Sequence, residues 1–155
     1  MNTTDRKVIV VLGMHRSGTS VVTRGLQVLG VDLGTRLLAA EQGVNDKGFW
    51  EDMDITAFDV DLLCALGHDW HSFAPLQPSE FQGPIIDSFK LRAVQLMRDK
   101  LAGIDVLGLK DPRMARLMPF WQDVFEHLGV TVHYVIACRN PMSVARTFNS
   151  RLKIF

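Results

Sequence analysis

The chain has 155 residues, 47% hydrophobic and 22% charged, the composition of a soluble globular domain with room for one substantial core. Its 17 basic and 17 acidic residues cancel, so no global field draws nucleic acid or a membrane surface, and any anion site must be built by locally concentrating Arg and Lys. The polar start and the short apolar run after it exclude a signal h-region or a membrane span and predict a cytoplasmic protein. Cys64 and Cys138, with no C-x-x-C, exclude a zinc framework and are expected to be buried small hydrophobes.

Residues 7 to 12 form a Val- and Ile-rich run that reads as a strand covered on both faces. It breaks into Gly13-Met14-His15-Arg16-Ser17-Gly18-Thr19-Ser20, a glycine-bounded loop opening a helix over about 18 to 29 that Gly30 ends. Unpaired amides and the dipole of a helix start favour an anion, and Gly13 and Gly18 let the main chain approach it, so this arrangement cradles a phosphate. Hydroxyls at Ser17, Thr19 and Ser20 are expected to add donors. The spacing matches G-x-x-x-x-G-K-[ST] except at Thr19, which stands where the lysine would be, while the positive charge has moved to Arg16. That lysine neutralises β and γ phosphates beside Mg2+, so its absence argues against an ordinary ATPase or kinase, and one arginine suits a group of lower charge.

A second helix is predicted from Met53 to Leu66, with Ile55, Phe58, Leu62, Leu63 and Leu66 near 3.6 spacing, Asp52 as cap and Gly67 after it. Residues 68 to 87, with Pro75, Pro78, Gly83 and Pro84, read as an irregular surface excursion; the cluster His68, Trp70 and His71 on it lacks further ligands at a useful spacing for a metal. A helix from Ser88 to Leu101, a strand over 105 to 109, a helix from Pro119 to Leu128 and a strand over 131 to 137 follow. Asn140-Pro141 then reads as a cap with Pro at the first helical position, opening a last helix. Strands alternating with helices predict an α/β domain over residues 1–155: a three-layer P-loop NTPase-like fold, its parallel sheet flanked by helices, with ligands at the carboxyl ends of the strands.

Three basic clusters each follow a predicted strand: the loop around Arg16, Lys110-Asp111-Pro112-Arg113, and Cys138-Arg139-Asn140-Pro141 running on to Arg146-Thr147. Together they predict a polyanion pocket at one sheet edge. With these motifs the chain resembles the sulfotransferases that use 3'-phosphoadenosine 5'-phosphosulfate (PAPS), and its arginine form of the loop is similar to that of tyrosylprotein sulfotransferases and bacterial relatives. The resemblance implies that Arg16, Ser17, Gly18, Thr19 and Ser20 hold the 5'-phosphosulfate, and that Arg139 and Thr147, eight residues on, hold the 3'-phosphate. Arg151 falls where some members carry another arginine.

Lys110-Asp111-Pro112 resembles a segment whose lysine contacts the transferring sulfonyl group. Asn45-Asp46-Lys47-Gly48-Phe49-Trp50-Glu51 resembles the segment that carries a catalytic glutamate in Golgi-type members. Two departures from the family pattern stand out: Thr147 replaces the usual Ser, and the sequence stops about where such families continue into acceptor and adenine contacts, which predicts a missing C-terminal portion.

What the resemblance implies is a metal-independent, in-line transfer of a sulfonyl group from PAPS to a hydroxyl or amine, with PAP as product and no Mg2+ needed. Arg16 and Lys110 would stabilise the bridging oxygen. Glu51 is the first choice of general base, with Asp46 and His15 as alternatives; a first-turn charge favoured by the helix dipole is the plain reading of Glu51, and a structural hydrogen bond that of His15. Lys110 is a sulfonyl contact or the partner of Asp111 or another carboxylate, Arg113, Arg116 and Arg146 are read as solvated charges, and Phe49 and Trp50 either line the acceptor pocket or anchor their segment. Small-molecule, glycan, lipid and peptide acceptors all stay open. The competing readings are a P-loop kinase, with Ser20 on Mg2+ and Asp111 as its acid, and a catalytically silent nucleotide-binding module.

Overall fold

Three strands, Lys7–Leu12 (β1), Val106–Lys110 (β2) and Thr131–Ile136 (β3), pair in parallel in the order β2-β1-β3 in a computed structural model that describes residues 6–43, 45–69, 72 and 74–152, with side chains of the last helix described through Thr147. The helices are Thr19–Val28 (α1), Met53–Ala65 (α2), Pro84–Lys100 (α3), Met118–Leu128 (α4) and Pro141–Leu152 (α5), with short 3-10 turns at Pro78–Phe81 and Pro112–Ala115. The architecture is therefore α/β with a parallel sheet and five helices.

Strand register decides which side chains face which layer. Val8 pairs with Leu107, and Val10 with Leu109, so these four share one face, and they are buried with Phe58, Phe89, Phe120, Trp121 and Phe125 from α2, α3 and α4. Phe58 and Trp121 have ring centroids 5.4 Å apart, and Phe120 meets Trp121 edge-on at 5.7 Å, geometries that aromatic quadrupoles favour. The opposite pleat carries Ile9, Val11, Gly108 and Lys110, and this is the face toward α1. Residues 31–33 pass along the free edge of β2, where Asp32 N–H donates to Val106 O and Gly108 N–H to Asp32 O. A Cβ at position 108 would lie 2.7 Å from Leu33 Cδ2, so glycine is what permits that close pass.

The predicted elements are present with shifted ends. β2 starts one residue later than expected and ends at Lys110, which makes Lys110 itself a strand residue. α3 starts at Pro84 rather than Ser88, because Gly83 turns the chain at φ 103° and Pro84 fits the first helical position. The excursion over 68–87 is correspondingly shorter and holds the 3-10 turn at 78–81. Both caps are formed: Asp52 accepts from Asp54 and Ile55 N–H, and Asn140 from Met142 and Ser143 N–H.

Two expectations are corrected. The sheet is not covered throughout: Thr131, His133, Tyr134 and Ile136 of β3 are exposed, Ile136 to 67%, because α2 to α4 pack over β1 and β2 while β3 is the end strand among the described residues. Neither cysteine is buried. Cys64 lies on the outer face of α2 beside inward Leu62 and Leu63, and Cys138 lies in the turn after β3. No helix of the described residues is long and apolar enough to cross a membrane.

Candidate functional site

The loop after β1 is shaped by its glycines. Gly13, at φ 154°, has no room for a Cβ, which would sit 2.8 Å from both Ala137 O and Ser17 Oγ and 2.9 Å from Thr19 Cγ2. Arg16 takes a left-handed conformation at φ 65°, closing a turn in which Ser17 N–H and Ser17 Oγ both donate to Met14 O. Gly18 caps α1 at φ 101° without any side-chain cap, and no acid occupies the first turn of α1, so its amide dipole faces the loop uncompensated. Thr19 is buried and its carbonyl accepts from Thr23 Oγ1.

Lys110 leaves the end of β2 on the α1 face. Its Nζ donates to Glu51 Oε1 in a short ion pair, to Phe49 O at 3.0 Å and to Ser20 Oγ at 3.5 Å. Of the partners left open by the sequence, Glu51 is the one taken. The Lys110 and Glu51 side chains are only 4% and 8% exposed, so this pair sits inside the protein rather than on a solvated helix end. Burial raises the Glu51 pKa above the ordinary carboxylate value, with Asp111 adding to the rise, while Lys110 and Arg113 pull against it. Burial lowers the His15 pKa, with Arg113, Lys110 and Arg16 in the same direction and Asp111 opposing them, which favours the neutral imidazole.

Asp111 is fully buried and engaged by Arg113 twice, through the backbone N–H at 2.7 Å and Nη2 at 2.8 Å. Arg113 Nη2 also lies 3.8 Å from Glu51 Oε2. Arg113 is therefore not the solvated charge its sequence context suggests; the Pro112–Ala115 turn folds it back over the carboxylates. Arg116 is likewise committed, donating to Asp69 O and Ala74 O and facing His68 Nδ1, and so tethers those three residues. Arg146 is exposed.

Across the site, the exposed Arg139 donates from Nη1 to the Arg16 carbonyl at 3.1 Å, which brings the turn after β3 onto the turn after β1. Several hydroxyls expected as ligand donors spend their protons locally: Ser17 on Met14 O, Ser20 on Phe49 O at 3.3 Å, and Thr147 on Ser143 O at 2.7 Å. Arg151 belongs to α5, but its side chain, like Trp70 and His71, lies outside the described residues. Asp46, the alternative base, is exposed and accepts from Gly43 N–H at 2.6 Å. Among the described residues no cluster of three or more His, Cys, Asp or Glu side chains is placed to hold a metal ion.

The structure thus gathers Arg16, Lys110, Glu51, Ser20 and Arg139 around the carboxyl ends of the three strands. Sequence reasoning missed that Asp59 belongs to the same buried cluster. It sits in α2 at 0% exposure, accepts from Trp121 Nε1 at 2.8 Å, and leaves Oδ2 without a hydrogen-bond partner. Burial, then Asp111, holds its pKa well above the ordinary value. A signal was there: Asp59 falls on the apolar stripe of α2, between Phe58 and Leu62. Comparison with protein-family models, curated proteins and solved structures finds no match for this chain.

Proposed function

We propose that this chain is a sulfotransferase of the PAPS-dependent type, built on a P-loop-like α/β domain. The observation that supports this most is the contact of the Arg139 guanidinium with the Arg16 carbonyl, since a bisphosphorylated adenosine needs both basic turns on one side of the molecule. The uncapped α1 start, its left-handed Arg16 and the glycine at 13 fit an anion laid against backbone amides. PAPS supplies a sulfonyl group that passes to the acceptor oxygen or nitrogen as its bond to the phosphate oxygen breaks.

The residues have separable tasks in this reading. Arg16 and the loop amides stabilise charge on the departing phosphate, and Lys110 does so on the sulfonyl oxygens. Glu51 takes the acceptor proton, and the rise in its pKa makes it a better base than an exposed carboxylate while Lys110 keeps it oriented. Arg139, with Thr147 at the next helix, grips the 3'-phosphate. These groups carry the charge that a metal carries in phosphoryl transfer, so the reaction runs without Mg2+.

The division of labour is testable. Arg16→Ala mainly lowers turnover with PAPS. Arg139→Ala weakens PAP binding by roughly 10- to 100-fold, from the loss of about 1.5 to 3 kcal/mol of charge-assisted contact. Equal PAP affinity in wild type and Arg139→Ala removes the 3'-phosphate assignment.

A further inference from the structure

Beside the Lys110 and Glu51 pair, a pocket of about 350 Å³ opens between α1 and the 45–50 segment, lined in part by Ser20, Arg24, Asn45, Asp46, Lys47 and Trp50. We propose that this pocket holds the acceptor and selects one that carries an anionic group of its own next to the reacting hydroxyl. The assignment rests on the sulfonyl-transfer reading and adds the chemical class of the acceptor.

Position comes first. Ser20 lines the pocket and its Oγ lies 3.5 Å from Lys110 Nζ, so the pocket adjoins the Lys110 and Glu51 pair through Ser20. The volume falls within the range of small-ligand sites, enough for a sugar ring or a phenol with its substituent.

Charge then sets the class. Arg24 and Lys47 bring two cations to the lining, while Asp46, the one carboxylate among the described lining residues, has one oxygen committed to the Gly43 amide of its own turn. A negative group on the ligand is therefore attracted, and a neutral one gains nothing from these groups.

Preorganisation is the third element. The Arg24 guanidinium lies 5.8 Å from the Trp50 ring centroid, held over the indole so that its in-plane N–H groups stay available. Trp50 itself is left-handed at φ 59°, a strained conformation for an aromatic residue. That turn sends consecutive side chains to different tasks: the indole goes to Arg24 in the pocket, and the Glu51 carboxylate goes to Lys110. The strain is spent on placing a base and a recognition wall side by side.

Two matched pairs of probes test this by calorimetric titration into PAP-saturated protein at low salt: p-nitrophenyl glucuronide against the glucoside, and 4-hydroxyphenylacetate against 2-(4-hydroxyphenyl)ethanol. The anionic member of at least one pair is expected to bind roughly tenfold or more tightly than its neutral twin. Arg24→Gln, and separately Lys47→Gln, should erase most of that preference while PAP still binds, which also shows that the variants fold. Equal or undetectable affinity within both pairs overturns the assignment, as does a preference that both variants leave intact. Failure of the wild-type chain to bind PAP instead overturns the transfer reading on which the assignment stands.

Discussion

At the scale of single residues, the account turns on a buried ion pair that a general base must share. Glu51 is useful as a base only when ionised, and its pKa is raised above the ordinary value. The rate of transfer, as kcat/KM against pH, should therefore be low in acid and climb through an inflection lying above the usual carboxylate range before levelling. Glu51→Gln should lose roughly 100-fold or more in kcat and lose that acid limb; an unchanged limb in the variant would assign the base elsewhere, to His15 or Asp46. The identity of Glu51 as a candidate came from the resemblance of the segment from Asn45 to Glu51 to one that carries a catalytic glutamate, but its pairing did not. Nothing local to residue 51 announces a lysine 59 positions away, and only the strand register that turns Lys110 toward α1 makes the pair.

At the scale of elements, the segment before α2 is the piece that must be held. Asp52 caps α2 with Oδ1 and takes Lys100 Nζ at 2.6 Å on Oδ2, while the same ammonium reaches Asp54 at 2.7 Å. Burial works against the charge on Lys100, but its hydrogen bonds to Asp52 and Asp54 raise its pKa overall, and the Lys100 hydrogen bond lowers that of Asp54. Asp52→Ala removes the cap and leaves a half-buried ammonium with one partner, so it should cost about 2 to 4 kcal/mol, measured by urea unfolding. A loss below about 0.5 kcal/mol would show that the α2 start is fixed by packing alone. The caps at Asp52 and Asn140, the glycine stops and the apolar stripes were legible because they are local signals within one turn of the chain. Arg113 was misjudged for the converse reason: its burial depends on how the Pro112–Ala115 turn folds over Glu51 and Asp111, a tertiary matter.

At the scale of the whole molecule, the charges of the buried cluster beneath the site are balanced. Lys110 and Arg113 face Glu51 and Asp111, two against two, and Asp59 is a fifth buried group whose hydrogen bond comes from a neutral indole. Burial, with Asp111 adding to it, raises its pKa well above the ordinary value and so favours its neutral form. Because the folded value lies above the unfolded one, the stability it confers is complete below the ordinary carboxylate range and falls away as pH rises through the folded value. Each unit of upward displacement corresponds to about 1.4 kcal/mol. Asp59→Asn keeps an acceptor for Trp121 and abolishes that loss. Its melting temperature relative to wild type should therefore improve as pH rises above the ordinary carboxylate range; a pH-independent difference would mean that the Asp59 pKa is the same in the folded and unfolded chain.

The alternation of strands and helices, and with it the parallel α/β architecture, could be read from periodicity and turn residues. The exposed faces of β3 and of Cys64 could not, since apolar content says what can be buried and not whether a neighbouring layer arrives. The central claim is that two basic turns, at Arg16 and Arg139, form one nucleotide site that works without metal. The most direct test is calorimetric titration with PAP in the presence of EDTA, alongside ATP with and without Mg2+. The account predicts one PAP per chain, unaffected by chelation, and weaker ATP binding with no dependence on Mg2+; strict Mg2+-dependent ATP binding with no response to PAP would contradict it.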